Sequence, residues 1–133
     1  MAASKTYAEQ QNIKYAQKIN ELLKIFPEFC REYFNSLEYS KQPRTRLAYA
    51  RDLKTFFEFL IAEFPQYSNY QISDFTLHDI ESVTGQDISD YLRYMKVYDK
   101  DGTTVTNDER AAKRKLCSLR RFYGYYYRYE LIS

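Results

Sequence analysis

The sequence predicts an all-α fold. Only three glycines and three prolines occur among 133 residues, and a β-sandwich of this length would need more turn residues. Hydrophobic residues make up 44% of the chain and aromatic residues 18%, which excludes a disordered chain and is enough for a core. Apolar residues also recur at the spacing of amphipathic helices. We therefore expect one domain, a bundle of helices without a sheet.

Two helical segments separated by a proline are predicted at the start of the chain. Apolar residues recur at helical spacing from about residue 7 to residue 26. Pro27 then kinks or breaks the helix, and a second segment continues to Leu37. We interpret residues 1–39 as a helical extension that packs on, or leads into, a domain formed by residues 40–133.

A long third helix is predicted from Pro43, which suits a first helical turn, to the residue before Pro65. Ser40 or Gln42 precedes it as the N-cap. Its apolar stripe is long and rich in phenylalanine, which indicates a central position. The predicted core comprises Leu47, Leu53, Phe56 or Phe57, Leu60, Leu92, Leu116, Leu119 and Tyr123.

The middle of the chain predicts short helices joined by loops. Residues 66–75 are expected to form a loop, after which Thr76 caps a short helix over 77–83. Another helix is expected to begin at Asp87, because acidic residues suit the positive N-terminal end of a helix. This acidic section is expected to point away from nucleic acid. Residues 97–105 are predicted to be an exposed loop.

The last helix carries the strongest functional signal. Residues 110–128 contain seven basic residues and no acidic one, although the net charge of the chain is only +2. Thr106 or Asn107 is expected to cap this helix, with Glu109 completing a capping box with Thr106. Phosphates attract such a helix and the major groove admits its width, whereas the simpler alternative is a solvated basic face. Its predicted buried stripe is Ala112, Leu116, Leu119, Tyr123 and Tyr126.

The predicted DNA contacts form two groups. Arg114 or Lys113 is expected to reach base edges, and Arg120 and Arg121 to hold the phosphate backbone. Because Arg114 is expected to be exposed, Arg114→Glu should abolish DNA binding and leave the fold intact. The group in the last helix is Arg110, Lys113, Arg114, Lys115, Ser118, Arg120 and Arg121. The second group, at the start of the long helix, is Lys41, Arg44, Thr45 and Arg46.

The contacts predicted at the start of the long helix rest on the electrostatics of a helix N-terminus, and they have one alternative interpretation. Free backbone N–H groups and the helix dipole favour a phosphate at a helix N-terminus. The alternative is that Thr45 only caps the helix and that the arginines are solvated.

No active-site motif is found in the sequence. One histidine, His78, excludes a relay of imidazoles, and three isolated glycines do not make a phosphate-binding loop. Cys30 and Cys117 are too few for a disulfide framework or a zinc site and indicate free thiols in a reducing compartment. No metal or cofactor is therefore expected. The chain has neither a signal peptide nor an apolar run of ~18 residues, so we expect a cytoplasmic protein without membrane contact.

Four segments, in the right order and spacing, resemble the tyrosine recombinase (phage integrase) family. Thr45, Tyr49 and Asp52 match the first core helix of that family, which reads Thr, Tyr, Asp-Leu and then a Phe-rich end. The resemblance adds Tyr49 to the expected DNA contacts. The first segment is similar to the leading helix of integrases from mobile elements of Gram-positive bacteria. The four segments are residues 25–37, 44–60, 79–92 and 114–132.

The resemblance implies the N-terminal core-binding, or SAM-like, domain of the family, a four- to five-helix orthogonal bundle. In the family this domain forms half of a clamp around the crossover-site duplex, opposite the catalytic domain. The implied function is sequence-preferring binding of double-stranded DNA at a recombination core site, in the integration and recombination of a mobile element. The implied partners are this DNA, the catalytic domain of the same chain and other recombinase protomers.

The resemblance also implies that this chain is not itself an enzyme. Family catalysis uses a tyrosine nucleophile, two arginines, a His-x-x-Arg element and a lysine in a downstream domain, expected here after residue 133. His78 is followed by Asp-Ile-Glu, so none of the fifteen tyrosines is expected to be the nucleophile. Weak DNA affinity is expected without the catalytic half. The alternative function is a helical protein–protein interaction domain that uses Tyr125, Tyr126 and Tyr127 as a contact patch and has no DNA role.

Overall fold

The structure of the protein is a computed structural model that describes residues 6–100, 102–106, 108–129 and 131–132. Within these ranges the predicted all-α bundle is confirmed, with two short 3₁₀ turns and one β-hairpin between the helices. The helices are α1 (Tyr7–Leu23), α2 (Cys30–Leu37), α3 (Pro43–Glu63), α4 (Leu77–Glu81), α5 (Gly85–Tyr94) and α6 (Glu109–Arg128). The 3₁₀ turns, Pro65–Tyr67 and Ile72–Asp74, lie in the predicted loop.

The first two helices follow the predicted break. Thr6 and Glu9 form a capping box at the start of α1, in which the Glu9 N–H donates to the Thr6 hydroxyl at 3.1 Å. The helix ends before Pro27, and α2 begins three residues after that proline. α1 packs along α3, and Ile19 is its buried anchor. The predicted boundary at residue 39 falls in the turn between α2 and α3.

α3 is the central helix, because both α1 and α6 pack against it. Gln42 is its N-cap, Pro43 its first residue and Pro65 follows its end, as predicted. Its apolar side chains join an aromatic core contributed by most of the helices. Phe122 of α6, for example, lies 5.3 Å from Tyr33 of α2 and 6.3 Å from Phe57 of α3, between ring centroids.

The predicted core is confirmed on α3 and shifted on α6. Leu47, Leu53, Phe56, Phe57, Leu60 and Leu119 are buried, whereas Leu92, Leu116 and Tyr123 are only partly buried. The buried face of α6 is centred on the line through Lys115, Ser118 and Phe122 instead of the line through Leu116 and Tyr123. This face includes a lysine because a carboxylate of α3 meets it inside the protein.

The segment 97–105, predicted as an exposed loop, is a β-hairpin, so the prediction of a loop is wrong here, while one short strand pair leaves the all-α class unchanged. β1 (Val97–Lys100) and β2 (Thr103–Thr106) pair antiparallel, with Val97 opposite Thr106. The physical reason is local: an Asp-Gly pair favours a two-residue hairpin turn, the β-branched residues of β2 favour a strand, and Gly102 adopts a φ of 80°.

Three helix starts test the predicted caps. Thr76 caps α4 as predicted, in a capping box with Asp79 that was not predicted, and Thr84 caps α5, which starts at Gly85 instead of Asp87. Asp108 caps α6, where its carboxylate accepts from the Ala111 N–H at 2.8 Å, so the prediction of Thr106 as the cap is wrong. Asn107, the other predicted cap, lies outside the described residues. None of the helices in the described part of the chain is long and apolar enough to cross a membrane.

Candidate nucleic-acid interface

A buried carboxylate joins α3 to the first half of α6. The Asp52 side chain is 3% exposed and accepts from two consecutive cations. Arg114 donates to it twice, from Nε to Oδ2 at 3.1 Å and from Nη2 to Oδ1 at 2.8 Å, while Lys115 Nζ donates to Oδ1 at 3.0 Å. Removing one partner of such a buried arrangement leaves an uncompensated charge, which costs about 3–5 kcal/mol. Asp52 therefore fixes where α6 lies on α3.

A second contact joins the two predicted DNA-binding groups. Arg121 Nη2 donates to the Ser40 hydroxyl at 3.2 Å, so the middle of α6 lies beside the turn that leads into α3. Taken with the Asp52 contact, this shows that α3 and α6 run antiparallel. The exposed cations of the two helices consequently belong to one surface.

We call this surface the basic face. Arg44 is exposed in the first turn of α3 and Lys41 is partly exposed just before it. Arg51, an exposed residue that sequence reasoning missed, follows Arg44 by seven positions and so lies on the same side of α3. The i, i+7 spacing of these two arginines is the signal that would have found it. The basic face comprises Lys41, Arg44, Arg51, Arg110, Lys113, Arg120 and Arg121.

Two predicted contacts on α6 do not fit the structure. Lys115 is 6% exposed and Ser118 is fully buried, since both point towards α3 and the core. Lys115 is occupied by Asp52. Neither side chain reaches the surface, so the assignment of both residues to DNA contacts is corrected.

Arg114 needs a different correction. Its side chain is half exposed, as expected, but its guanidinium is held by Asp52 through two hydrogen bonds. A guanidinium offers a fixed fork of donors, and here that fork already faces a carboxylate. Arg114→Glu would place a second carboxylate beside Asp52, so the structure predicts that this change destabilises the fold instead of leaving it intact.

The residues predicted to contact DNA at the start of α3 also differ in their exposure. Arg46 is 15% exposed and lies among residues of α1 and α2, with Glu38 as its ion-pair partner at 4.0 Å. Its assignment to the DNA surface is therefore corrected, because it faces the opposite way from Arg44. Thr45 is partly buried and does not cap the helix, since Gln42 occupies that position. Tyr49 is partly buried against the core.

The tyrosines at the end of α6 are largely structural. The Tyr123 hydroxyl donates to the Ile80 carbonyl at 2.8 Å and the Tyr126 hydroxyl to the Phe29 carbonyl at 2.9 Å. Burial raises the pKa of both phenols, so they stay protonated. Tyr126 is 1% exposed, which removes it from the predicted contact patch and leaves Tyr127, with Tyr125 partly buried.

No group of three or more side chains suited to a metal ion occurs in the described part of the chain. Both cysteines are free thiols; Cys30 is buried and Cys117 is exposed on α6. Residues three and four positions away on a helix are surface neighbours, so the neighbours of Cys117 are Lys113, Arg114, Arg120 and Arg121. This thiol thus marks the centre of the basic stretch of α6.

Comparison with known proteins finds one informative relative. The chain is 34% identical over 110 residues to tyrosine recombinase XerC of Caldanaerobacter subterraneus subsp. tengcongensis, a match that covers 78% of this chain and 29% of that protein. The chain thus spans less than a third of the length of this relative. No family model matches the chain, and no solved structure matches it. The sequence identity, the all-α fold and the residue pattern agree, and they support an N-terminal domain of the tyrosine recombinase family.

Proposed function

We propose that this chain is the core-binding domain with which a site-specific tyrosine recombinase holds duplex DNA during integration and recombination of a mobile element. The observation that supports this most directly is the Ser40–Arg121 contact, because it brings the turn that leads to Lys41 and Arg44 beside the basic stretch of α6. A single basic helix is often only solvated. Two basic helices held side by side by a buried ion pair make a preorganised surface.

The geometry favours different DNA contacts for the first and the second half of α6. Arg110 and Lys113 lie in its first turns, the part of a helix that meets base edges when it enters the major groove. Arg120 and Arg121, two to three turns later, hold phosphates. In this proposal the Asp52 pairs serve the function by keeping the angle between α6 and α3 constant.

The start of α3 supplies a separate phosphate contact. Gln42 makes no side-chain hydrogen bond to the first turn of α3, and the first turn of this 21-residue helix contains no acidic residue. The free N–H groups of that turn, with Arg44 and Lys41 beside them, suit one phosphate of the DNA backbone.

The proposal assigns DNA contacts and no catalytic group to this chain. Catalysis would come from another domain of the recombinase, and other protomers would complete the assembly on DNA in the cytoplasm. A net charge of only +2 indicates weak binding by the chain alone, with a dissociation constant of about 1–100 μM at physiological salt.

Thiol footprinting tests the proposal with the native chain. Because Cys30 is buried and Cys117 is exposed, an alkylating reagent should label Cys117 alone in the folded protein. Duplex DNA of about 20 base pairs, two helical turns, should slow that labelling at ~50 mM salt and lose its effect at ~500 mM. A parallel NMR titration should shift residues 110–121. Labelling that DNA leaves unchanged, together with unchanged spectra, would reject the proposal.

A protein–protein role remains a second candidate because of one observation. Tyr127, Tyr129 and Leu131 are 69%, 59% and 52% exposed at the end of the chain, and exposed aromatic residues favour interfaces. Self-association that is indifferent to salt and lost in Tyr127→Ser would favour this role. Sedimentation velocity at low and high salt makes the measurement.

A further inference from the structure

A cationic cleft lies between α2 and the second half of α6, beyond the turns assigned to base contacts. Its volume is about 570 Å³. Three arginines, Arg120, Arg121 and Arg128, line it, and none of its described lining residues is acidic, although burial and the nearby Glu32 carboxylate raise the pKa of the Tyr125 phenol. The remaining lining residues are Tyr33, Ser36, Leu37, Ser40, Gly124, Tyr125 and Tyr129.

Gly124 is the least expected residue of this cleft. It lies inside α6, where glycine costs about 1 kcal/mol relative to alanine. A Cβ atom added there would meet nothing within 4 Å, so the packing of this chain does not require a glycine. A glycine that the fold does not need, between Arg120, Arg121 and Arg128, leaves room for another group to approach the helix backbone closely.

The floor of the cleft offers hydroxyl groups. Arg121 reaches across it to the Ser40 hydroxyl at 3.2 Å. Tyr33 is 1% exposed, and its hydroxyl has no hydrogen-bond partner among the described residues. Burial raises the pKa of Tyr33, so the group remains a donor. Three guanidinium groups beside a buried, unpartnered hydroxyl, in a cleft with no carboxylate among the described residues that line it, suit an oxyanion.

We propose that this cleft binds a backbone phosphate of the same duplex, with Gly124 allowing the sugar–phosphate chain to lie against α6. The inference rests on the proposed function and extends it to a part of the molecule outside the base-contacting turns. Phosphate is favoured because arginine forks bind it through paired hydrogen bonds and because Arg120 and Arg121 also belong to the basic face. The phosphate contact would anchor the second half of α6.

Gly124→Leu and Arg128→Gln test the cleft. Gly124→Leu should raise the melting temperature, because leucine is the better helix former and has open space, yet weaken duplex binding about tenfold by blocking the cleft. Arg128→Gln should weaken binding by about tenfold and lower the slope of log K against log salt by ~0.9. Gly85→Ala and Arg31→Gln, exposed positions outside the cleft, are the matched controls and should bind as the parent does. Fluorescence anisotropy with a duplex of about 20 base pairs, two helical turns, provides the affinities.

The outcomes separate the cleft from the proposed function. If both cleft variants bind as the parent does while Arg110→Ala with Lys113→Ala weakens binding, the cleft proposal is overturned and the proposed function stands. If the parent chain does not bind duplex, the proposed function fails, and titration with inorganic phosphate then decides whether residues 120–128 still bind an oxyanion. Cleft variants that change only self-association would point to a protein carboxylate and overturn the phosphate assignment.

Discussion

Two cations that the sequence places in DNA-binding groups turn away from the surface, and their surroundings differ: Lys115 is buried and Arg46 is partly buried. Lys115 of α6 lies 3.0 Å from the Asp52 carboxylate, which Arg114 also binds. Arg46 of α3 has its ion-pair partner, Glu38, at 4.0 Å, and among the described residues its Nε atom has no hydrogen-bond partner. The charged nitrogen of Lys115 therefore has a close partner, whereas the Arg46 guanidinium has only a distant one. A run of basic residues therefore does not locate positive surface, because the position of a carboxylate in a neighbouring helix decides which cation turns inward.

The largest effect expected from this comparison is at Asp52. Asp52→Ala should lower the free energy of unfolding by about 3–5 kcal/mol, because Lys115 would be left buried without its partner. Urea unfolding followed by circular dichroism measures the loss. Glu58→Ala, a change of another acid on α3 that is only partly buried, should stay within about 0.5 kcal/mol. A loss below about 1 kcal/mol in Asp52→Ala would show that this carboxylate does not fix α6 on α3.

The next effect separates an exposed arginine, Arg44, from a partly buried one, Arg46, in the same predicted group. Arg44→Gln should weaken duplex binding by about 1.5 kcal/mol and lower the salt slope by ~0.9, since it removes a phosphate contact. Arg46→Gln should leave both values unchanged, because its side chain lies among α1 and α2. Anisotropy titrations at several salt concentrations compare the two variants. Equal losses in both would place Arg46 on the DNA surface after all.

Sequence reasoning predicted the fold well where local signals and tertiary packing agree. Pro27, Pro43 and Pro65 marked helix boundaries that the structure keeps, because proline acts through its own ring and its missing N–H. The hairpin is not predicted by periodicity, because each strand has only four residues and β1 has a single β-branched one, although Asp101-Gly102 is itself a turn signal. The Asp-Gly pair alone would have been enough to predict a hairpin at this place.

The candidate site could be predicted only in outline. The basic stretch of α6 and the cluster before α3 are visible in the sequence, but their meeting through Arg121 and Ser40 depends on tertiary packing across 81 positions. The inward turn of Lys115 depends on Asp52, 63 positions away. Helical periodicity relates only residues that are a few turns apart in one helix. The sequence alone therefore does not show which of the cations are exposed, and the structure does.

A smaller change in stability is expected when the unpartnered donor of Arg46 is removed. Arg46→Met should raise the free energy of unfolding by about 1 kcal/mol, because an apolar side chain of similar length removes a buried donor that has no partner. The same exchange at Lys115 would leave Asp52 with Arg114 alone and should bring no gain. Urea midpoints of the two variants provide the comparison. A loss of stability in Arg46→Met would mean that the Glu38 pair outweighs the unpartnered nitrogen.

The smallest effect is expected at Glu38 itself. Its side chain is 59% exposed and 4.0 Å from Arg46, so solvent and salt screen the attraction and the pair contributes less than about 0.5 kcal/mol. Glu38→Gln should therefore change the unfolding free energy only slightly at low salt and not at all at ~1 M salt, where the screening length is short. The loss in Asp52→Ala should persist at that salt because its partners are screened far less. A double-mutant cycle of Glu38→Gln with Arg46→Met should then give a coupling energy near zero. A coupling energy above about 1 kcal/mol would show that Arg46, like Lys115, is stabilised by its carboxylate partner.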